Sequence, residues 1–213
     1  MIQGFVFDLD GVLVDSTRCH REAFEQVLAD FGIHDFVYAN YAGWRTPEVF
    51  ADVFSRAAMV VSADSQREAS QRKSRLAREK LAACDPVKPR CVEVLGTLAQ
   101  RYRLALATSG SSESAKWFLD TTGTRALFHS VLTGNDVTRA KPAPEIYERS
   151  FDALSLPGDD CVVVEDAVAG VQAGLAAGGM VIGVAGTCGR EVLLAAGANR
   201  VIQQLDELLE MSL

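Results

Sequence analysis

Phe5-Val6-Phe7-Asp8-Leu9-Asp10-Gly11-Val12-Leu13-Val14-Asp15-Ser16 is the stretch on which the fold turns. An apolar run from Ile2 to Phe7 leads into it and stops at two carboxylates, Asp8 and Asp10. A buried parallel strand reads as a near-continuous apolar run. In open α/β sheets, ligands bind just beyond the carboxyl ends of such strands. Residues 2 to 8 are therefore predicted to form a first strand that delivers two acids to a ligand site. Asp8 and Asp10 are two apart, so their side chains leave an extended chain on the same side. Paired carboxylates repel and are best tolerated around a divalent cation, or with one of them protonated. Taken alone, Asp10-Gly11 reads equally well as a plain turn.

The chain beyond Pro89 supports the strand reading. A helix pattern over about 90 to 101 precedes a strand from Leu104 to Ala107, which ends in Thr108-Ser109-Gly110-Ser111-Ser112. A helix from about Glu113 runs to Gly123, and a strand follows near His129 to Leu132. A loop through Gly134, Asn135 and Asp136 leads to Lys141-Pro142-Ala143-Pro144-Glu145, and a helix starts about Pro144, where proline suits a first turn. The strand Cys161 to Val164 ends in Glu165-Asp166, and a helix from near Ala167 ends at Gly178-Gly179. Met180 to Val184 is another strand, and Arg200 to Leu209 reads as a last strand–helix pair. Alternating strands and helices imply a parallel sheet with right-handed crossovers.

Residues 17 to 83 have a different character. Ala23, Phe24, Val27, Leu28 and Phe31 repeat at helical spacing up to Gly32. A second helix is predicted from Thr46, with Val49, Phe50, Val53 and Phe54 on its inner face, and a third, polar one from about Ala63 to Ala83. The expected organisation is an α/β, Rossmann-like parallel-sheet core (1–16 and 84–213) with an inserted all-helical cap (17–83).

The totals narrow the class. The 213 residues suit one domain with a smaller insertion, and 48% hydrophobic with 23% charged residues is ordinary for a soluble globular protein. A net charge of −7 argues against a general nucleic-acid binder, whose affinity comes from neutralising phosphates. No basic leader precedes Ile2, so no signal peptide is expected. No apolar run approaches the roughly 18 residues that span a bilayer, so no membrane partner is expected. The five cysteines are scattered with no C-x-x-C pair, which suits a reducing cytoplasm better than a disulfide framework. Without a heptad pattern, a monomer is expected.

Four polar groups fall at or just past strand ends: Asp8 with Asp10, Thr108, Lys141, and Glu165 with Asp166. Each has a use in phosphoryl transfer. An aspartate can be the nucleophile, and a second carboxylic acid can protonate the leaving oxygen and then activate water. The Thr108 hydroxyl and backbone N–H groups around Ser109 and Gly110 can hold phosphate oxygens. A lysine neutralises charge, and further carboxylates complete a Mg²⁺ site. Each signal also has a plain structural reading: Thr108 as a helix cap, Lys141 as a solvated loop lysine, Glu165 and Asp166 as helix N-terminal acids. Their joint order is harder to produce by chance.

Four motifs carry a resemblance. They are Asp8 to Ser16, Ala107-Thr108-Ser109-Gly110-Ser111, Ala140-Lys141-Pro142-Ala143-Pro144-Glu145-Ile146-Tyr147, and Val164-Glu165-Asp166 continuing to Gly174. Together they resemble the motifs of the haloacid dehalogenase superfamily, in particular its phosphatase and β-phosphoglucomutase group with a helical cap. The resemblance implies Asp8 as nucleophile, Asp10 as general acid/base, and Thr108 and Lys141 on the phosphate. It also implies Mg²⁺ held by Asp8, Asp166, the backbone carbonyl of Asp10 and, as a further ligand, Glu165. Relatives that cleave carbon–halogen or carbon–phosphorus bonds generally lack the second aspartate, so Asp10 favours a phosphate ester. Ser16, His20, Arg45 and Lys73 are the candidates to read the substrate from the cap side, although Arg45 is shifted by a residue from the mutase pattern.

The expected activity is a Mg²⁺-dependent phosphatase for a small phosphorylated metabolite such as a sugar phosphate, working through an aspartyl-phosphate. A β-phosphoglucomutase-like isomerase is the alternative. A phosphate-responsive regulatory module is the third reading, which Asp10 and the helical insert count against.

Overall fold

A computed structural model of the chain describes residues 1–211. Six strands form one sheet: β1 (Gly4–Phe7), β2 (Arg103–Ala107), β3 (Phe128–Leu132), β4 (Cys161–Glu165), β5 (Met180–Val184) and β6 (Arg200–Ile202). Every pairing is parallel, and the order is β3-β2-β1-β4-β5-β6. The chain steps outward from β1 to β2 and β3, then returns to the other side of β1 for β4. That reversal makes a crevice between β1 and β4 at their carboxyl ends, the place where doubly wound sheets bind ligands.

Alternate residues along each strand serve opposite faces. Phe5, Phe7, Leu104, Leu106, Val162 and Val164 join one core. Val6, Ala105, Ala107 and Val163 join the other. Both faces are covered by helices, so β1 and β4 are buried end to end. The first face is packed by α4 (Cys91–Leu98) and α5 (Ser112–Thr122), through Leu95 and Phe118. The second is packed by α6 (Glu145–Leu154), α7 (Val168–Ala176) and α8 (Arg190–Ala195), through Tyr147, Val171 and Leu193.

Between β1 and α4 lie α1 (Thr17–Ala29), α2 (Thr46–Arg56) and α3 (Ala63–Ala82). Their apolar faces close on a core of their own, with Phe24, Val27, Leu28, Val49, Phe50, Val53, Phe54 and Ala69 buried together. Phe24 packs at 5.4 Å from Phe50, and Phe31 at 4.8 Å from Phe54. The polarity of α3 follows from its burial: only Ala69, Ser70, Lys73, Ala77 and Leu81 turn inward over its 20 residues. Among the described residues no helix is long and apolar enough to cross a membrane.

Several boundaries differ from the sequence reading. The ladder of the first strand spans Gly4–Phe7, because the chain bends at Asp8 into the turn that carries Asp10. α4 is shorter than 90 to 101, since Arg90 enters it at φ 57°. The last segment is a 3-10 run, Leu205–Glu210, after a short β6. α8 was not anticipated; six residues with one buried side chain, Leu193, carry too little periodicity to register.

A separate core in the helical segment has a measurable consequence. Phe50→Ala is expected to cost about 3–5 kcal/mol in urea unfolding, the range for a fully buried phenylalanine. Hydrogen exchange should show α1–α3 losing protection first, with the strands keeping theirs. Equal loss in both would indicate one indivisible core.

Candidate active site

The turn after β1 sets the geometry. Gly11 takes φ +82°, and a Cβ there would lie 1.7 Å from Asp166 Oδ2. Only glycine lets this turn lie against the end of β4. Asp8 and Asp10 from β1, Thr108 from β2, and Glu165 and Asp166 from β4 thereby converge with Lys141 from the loop before α6.

Lys141 is 2% exposed and uses all three of its donors. Nζ donates to Asp8 Oδ1 at 2.6 Å, to Glu165 Oε1 at 2.7 Å and to the Ala107 carbonyl at 3.2 Å. Burial alone would lower the lysine's pKa; Asp8 and Glu165 reverse that and raise it. Glu165 is equally committed. Oε1 also accepts from Tyr147 Oη at 2.5 Å, and Oε2 accepts from the backbone N–H of Asp166 at 3.0 Å and of Ala167 at 3.4 Å. Its carboxylate lies where a side chain on Gly170 would be, 1.9 Å from a Cβ built there.

Carboxylate atoms of Asp8, Glu165 and Asp166 lie within 4.8 Å of one another, all buried. Burial, and then the charge of neighbouring carboxylates, push Asp8 well above the usual range, although Lys141 opposes this. Burial and the Glu165 charge push Asp166 up to about 7, with Thr187 and Lys88 partly offsetting them. The cluster is short of positive charge, and its donors are hard oxygens. Both features fit an oxygen-preferring divalent cation. The Asp10 side chain stands outside this group.

Asp10 turns instead toward the helical segment. Oδ1 meets His20 Nε2 at 3.0 Å, and His20 Nδ1 meets Lys73 Nζ at 2.7 Å. With Lys73 donating to Nδ1, Nε2 carries the hydrogen that Asp10 accepts. Burial opposes ionisation of Asp10, but the charge and hydrogen bond of His20 and the charge of Lys73 hold its pKa well below the usual carboxylate range. The Ser16 hydroxyl also favours that charged form, short of hydrogen-bond geometry: buried Oγ has no partner among the described residues. Lys73 is 4% exposed, sits 4.2 Å over the Phe24 ring, and is pushed down to about 7 by burial against the pull of Asp10.

These groups line a small cavity of about 50 Å³ between the helical segment and the sheet, with Asp8, Asp10, His20, Lys73, Thr108, Ser109, Gly110 and Asp166 on its walls. Two expected substrate residues do not line it. Ser16 is buried beneath. Arg45 turns away: its guanidinium pairs with Glu48 and donates to the carbonyls of Gly134 at 3.3 Å, Val137 at 3.1 Å and Thr138 at 3.1 Å. It joins the start of α2 to the loop after β3. Ser109 Oγ adds a second tie, to the Gly43 carbonyl at 2.6 Å, and Thr17 Oγ1 a third, to Thr187 Oγ1 at 2.6 Å. The Gly110 N–H is taken by Thr108 Oγ1 at 2.9 Å.

Sequence reasoning missed the opposite wall. Tyr38 and Tyr41, which were not singled out, line the cavity from an irregular stretch that has no hydrophobic period, beside Trp44, just before α2, and Thr46 at its start. The aromatic density of Phe36 to Trp44 was the available signal. Tyr147 lay inside a quoted motif, but its bond to Glu165 depends on how α6 packs against β4.

Known proteins resemble the chain in sequence and in fold. A family model described as haloacid dehalogenase-like hydrolase matches residues 2–178. Validoxylamine A 7'-phosphate phosphatase of Streptomyces hygroscopicus subsp. limoneus is 31% identical over 95% of this chain and 94% of its own length. A fructose-1-phosphate phosphatase of Escherichia coli is 30% identical over 82% of this chain and 92% of its own. A β-phosphoglucomutase crystal structure from Clostridium difficile superposes with a TM-score of 0.85 over 98% of this chain and 93% of that one, and at 23% identity it speaks for the fold alone.

The Arg45 contacts imply a latch. Arg45→Ala is expected to speed amide exchange across residues 43 to 50 and 134 to 138 by at least about fivefold, the equivalent of roughly 1 kcal/mol of lost hydrogen bonding. Unchanged exchange would mean that the other ties alone hold the cleft closed.

Proposed function

The chain belongs to the haloacid dehalogenase-like hydrolase family, and from that premise we propose that it is a Mg²⁺-dependent phosphatase of a small phosphorylated metabolite in the sugar-phosphate class. The observation that carries the reading is Asp8, bonded to buried Lys141 at 2.6 Å at the carboxyl end of β1 and facing the same cavity as Asp10 and Thr108. The printed activities of two relatives, on validoxylamine A 7'-phosphate and on fructose 1-phosphate, support the substrate class.

In this reading an Asp8 carboxylate oxygen attacks phosphorus, and the bond from phosphorus to the leaving oxygen breaks. Asp10 gives that oxygen its proton. Asp10 rests ionised, and the negative charge of an arriving phosphate raises its proton affinity and loads it. Water then attacks the aspartyl-phosphate and returns a proton to Asp10, freeing inorganic phosphate and Asp8. Lys141 holds Asp8 in place, and the Thr108 hydroxyl reaches a phosphoryl oxygen. Asp8 and Asp166, with the Asp10 carbonyl, would hold Mg²⁺, which supplies charge neutralisation for the phosphoryl group. Glu165, with both oxygens already engaged, positions Lys141. The unit 17–83 serves as a cap that excludes water, and 1–16 with 84–213 as the catalytic core.

The mutase alternative has His20 and Lys73 in its favour, since both line the cavity. Against it, a mutase must grip a phosphate at either end of its substrate. Lys73 is the one lysine or arginine on the cavity's described walls, and Arg45 is spent on core carbonyls. Conversion of β-glucose 1-phosphate to glucose 6-phosphate without free phosphate would favour the mutase.

With Mg²⁺, the protein is expected to release phosphate from a sugar-phosphate panel, and Asp8→Asn to lose about a thousandfold or more in turnover. Near-wild-type activity in that variant would remove Asp8 as nucleophile. The site acids also give a stability signature. Asp166 titrates near 7 when folded and near 4 when unfolded, so between those values the folded state holds more protons. Stability of the metal-free protein should therefore fall as pH rises from about 4 to about 7. Mg²⁺, which binds the ionised form, should flatten that arm in urea titrations; an unchanged slope would argue against Asp166 as a ligand.

A further inference from the structure

Two tyrosines face the cavity, and they differ in what their hydroxyls do. Tyr41 Oη donates to Asp52 at 2.7 Å, so it is committed to its own helical unit. Tyr38, from the 3-10 turn Tyr38–Asn40, has no acceptor among the described residues. Its ring leans on Phe24, with centroids 6.2 Å apart, and Phe24 in turn supports the Lys73 ammonium. That packing holds the phenol on the cavity wall opposite Asp8, Asp10 and Asp166.

Tyr38 is half-buried and its hydroxyl is not sealed off, so its hydrogen is free for an acceptor that enters the cavity. Burial, and then the charges of Asp10, Asp166 and Asp8, raise the Tyr38 pKa well above its ordinary value, so the group stays a donor throughout the working pH range. The phosphoryl group belongs on the Asp8 and Thr108 side of the cavity, against the end of β2. The wall carrying Phe24, Tyr38 and Trp44 is left for the alcohol half of the substrate. An aromatic face with one polar tip suits a carbon skeleton bearing hydroxyls.

Resting on the phosphatase reading, we propose that Tyr38 is a specificity-determining residue that donates a hydrogen bond to a free hydroxyl on the leaving alcohol, which makes phosphate monoesters of polyols the preferred substrates over those of plain alcohols or phenols. A site built to bond a substrate hydroxyl discriminates strongly against analogues that lack it.

The test is Tyr38→Phe, which keeps the ring and its packing on Phe24. Phosphate release would be followed with Mg²⁺ on fructose 1-phosphate, glucose 6-phosphate and phenyl phosphate. The expected result is a roughly ten- to hundredfold drop in kcat/KM on the sugar phosphates that the wild type turns over, with phenyl phosphate unchanged and Tm held within about 2 °C. A drop of equal size on all three would overturn the assignment to the leaving alcohol, because the phosphoryl half is common to them. Unchanged activity on the sugar phosphates would reduce Tyr38 to a packing residue. If the wild type releases phosphate from none of the three, the phosphatase reading fails and this inference falls with it.

Discussion

One ammonium group ties the centre together. Lys141 Nζ bonds at once to the acid that follows β1, to the last carbonyl of β2 and to the last residue of β4. Burying a charge of either sign costs several kcal/mol unless it is paired and its donors are satisfied. Here the pairing is complete for the lysine and incomplete for the acids, since Asp8, Glu165 and Asp166 crowd within 4.8 Å around one cation. That imbalance sets the cluster apart from a balanced structural salt bridge. The lysine fixes where Asp8 sits, and the surplus negative charge suits a divalent cation.

The sheet order is what allows one lysine to reach three strands. β1 lies between β2 and β4, so the carboxyl ends of all three are adjacent. A sheet with β1 at an edge would offer Lys141 two of these partners at most. The close approach at Gly11, where any side chain would meet Asp166, and at Gly170, where it would meet Glu165, shows how little slack remains. The motifs are dense in small residues because backbone must come within contact distance of carboxylates.

This explains which parts were legible in the sequence. β4 and β5 are uninterrupted apolar runs because they are buried on both faces, and their limits were readable to within a residue. Asp8, Asp10, Thr108, Glu165 and Asp166 were legible as a set because strand ends mark themselves by a switch from apolar to polar, whereas Lys141, in the loop before α6, was legible only from the motif around it. The helices α1–α3 were readable from their 3.6-residue period. Arg45 was not: its residue type suggests an anion, whereas its partners are carbonyls some 90 positions away. The wall of Tyr38 and Trp44 was not either, because a loop has no period and its position follows from how the helical unit sits on the sheet. Ser16 looked like a site residue by proximity in sequence, but it follows the turn into the interior instead of facing the cavity.

The helical unit does more than cover the site, because it sets the charge state of a residue that it does not contain. Asp10 is anchored in the core turn, yet His20 on α1 and Lys73 on α3 hold its carboxylate ionised. His20 sits on α1, which the Thr17 contact ties to the core, and the Arg45 and Ser109 contacts tie the segment before α2 to it. If those ties part and the helices withdraw, Asp10 loses the two groups that lower its pKa and gains water around it. The charge state of Asp10 therefore depends on how the helical unit sits on the sheet. Lys73, itself pushed down to about 7 by burial, completes the chain from Asp10 through His20. Two of the three members of this hydrogen-bonded chain thus come from the helical unit and one from the core.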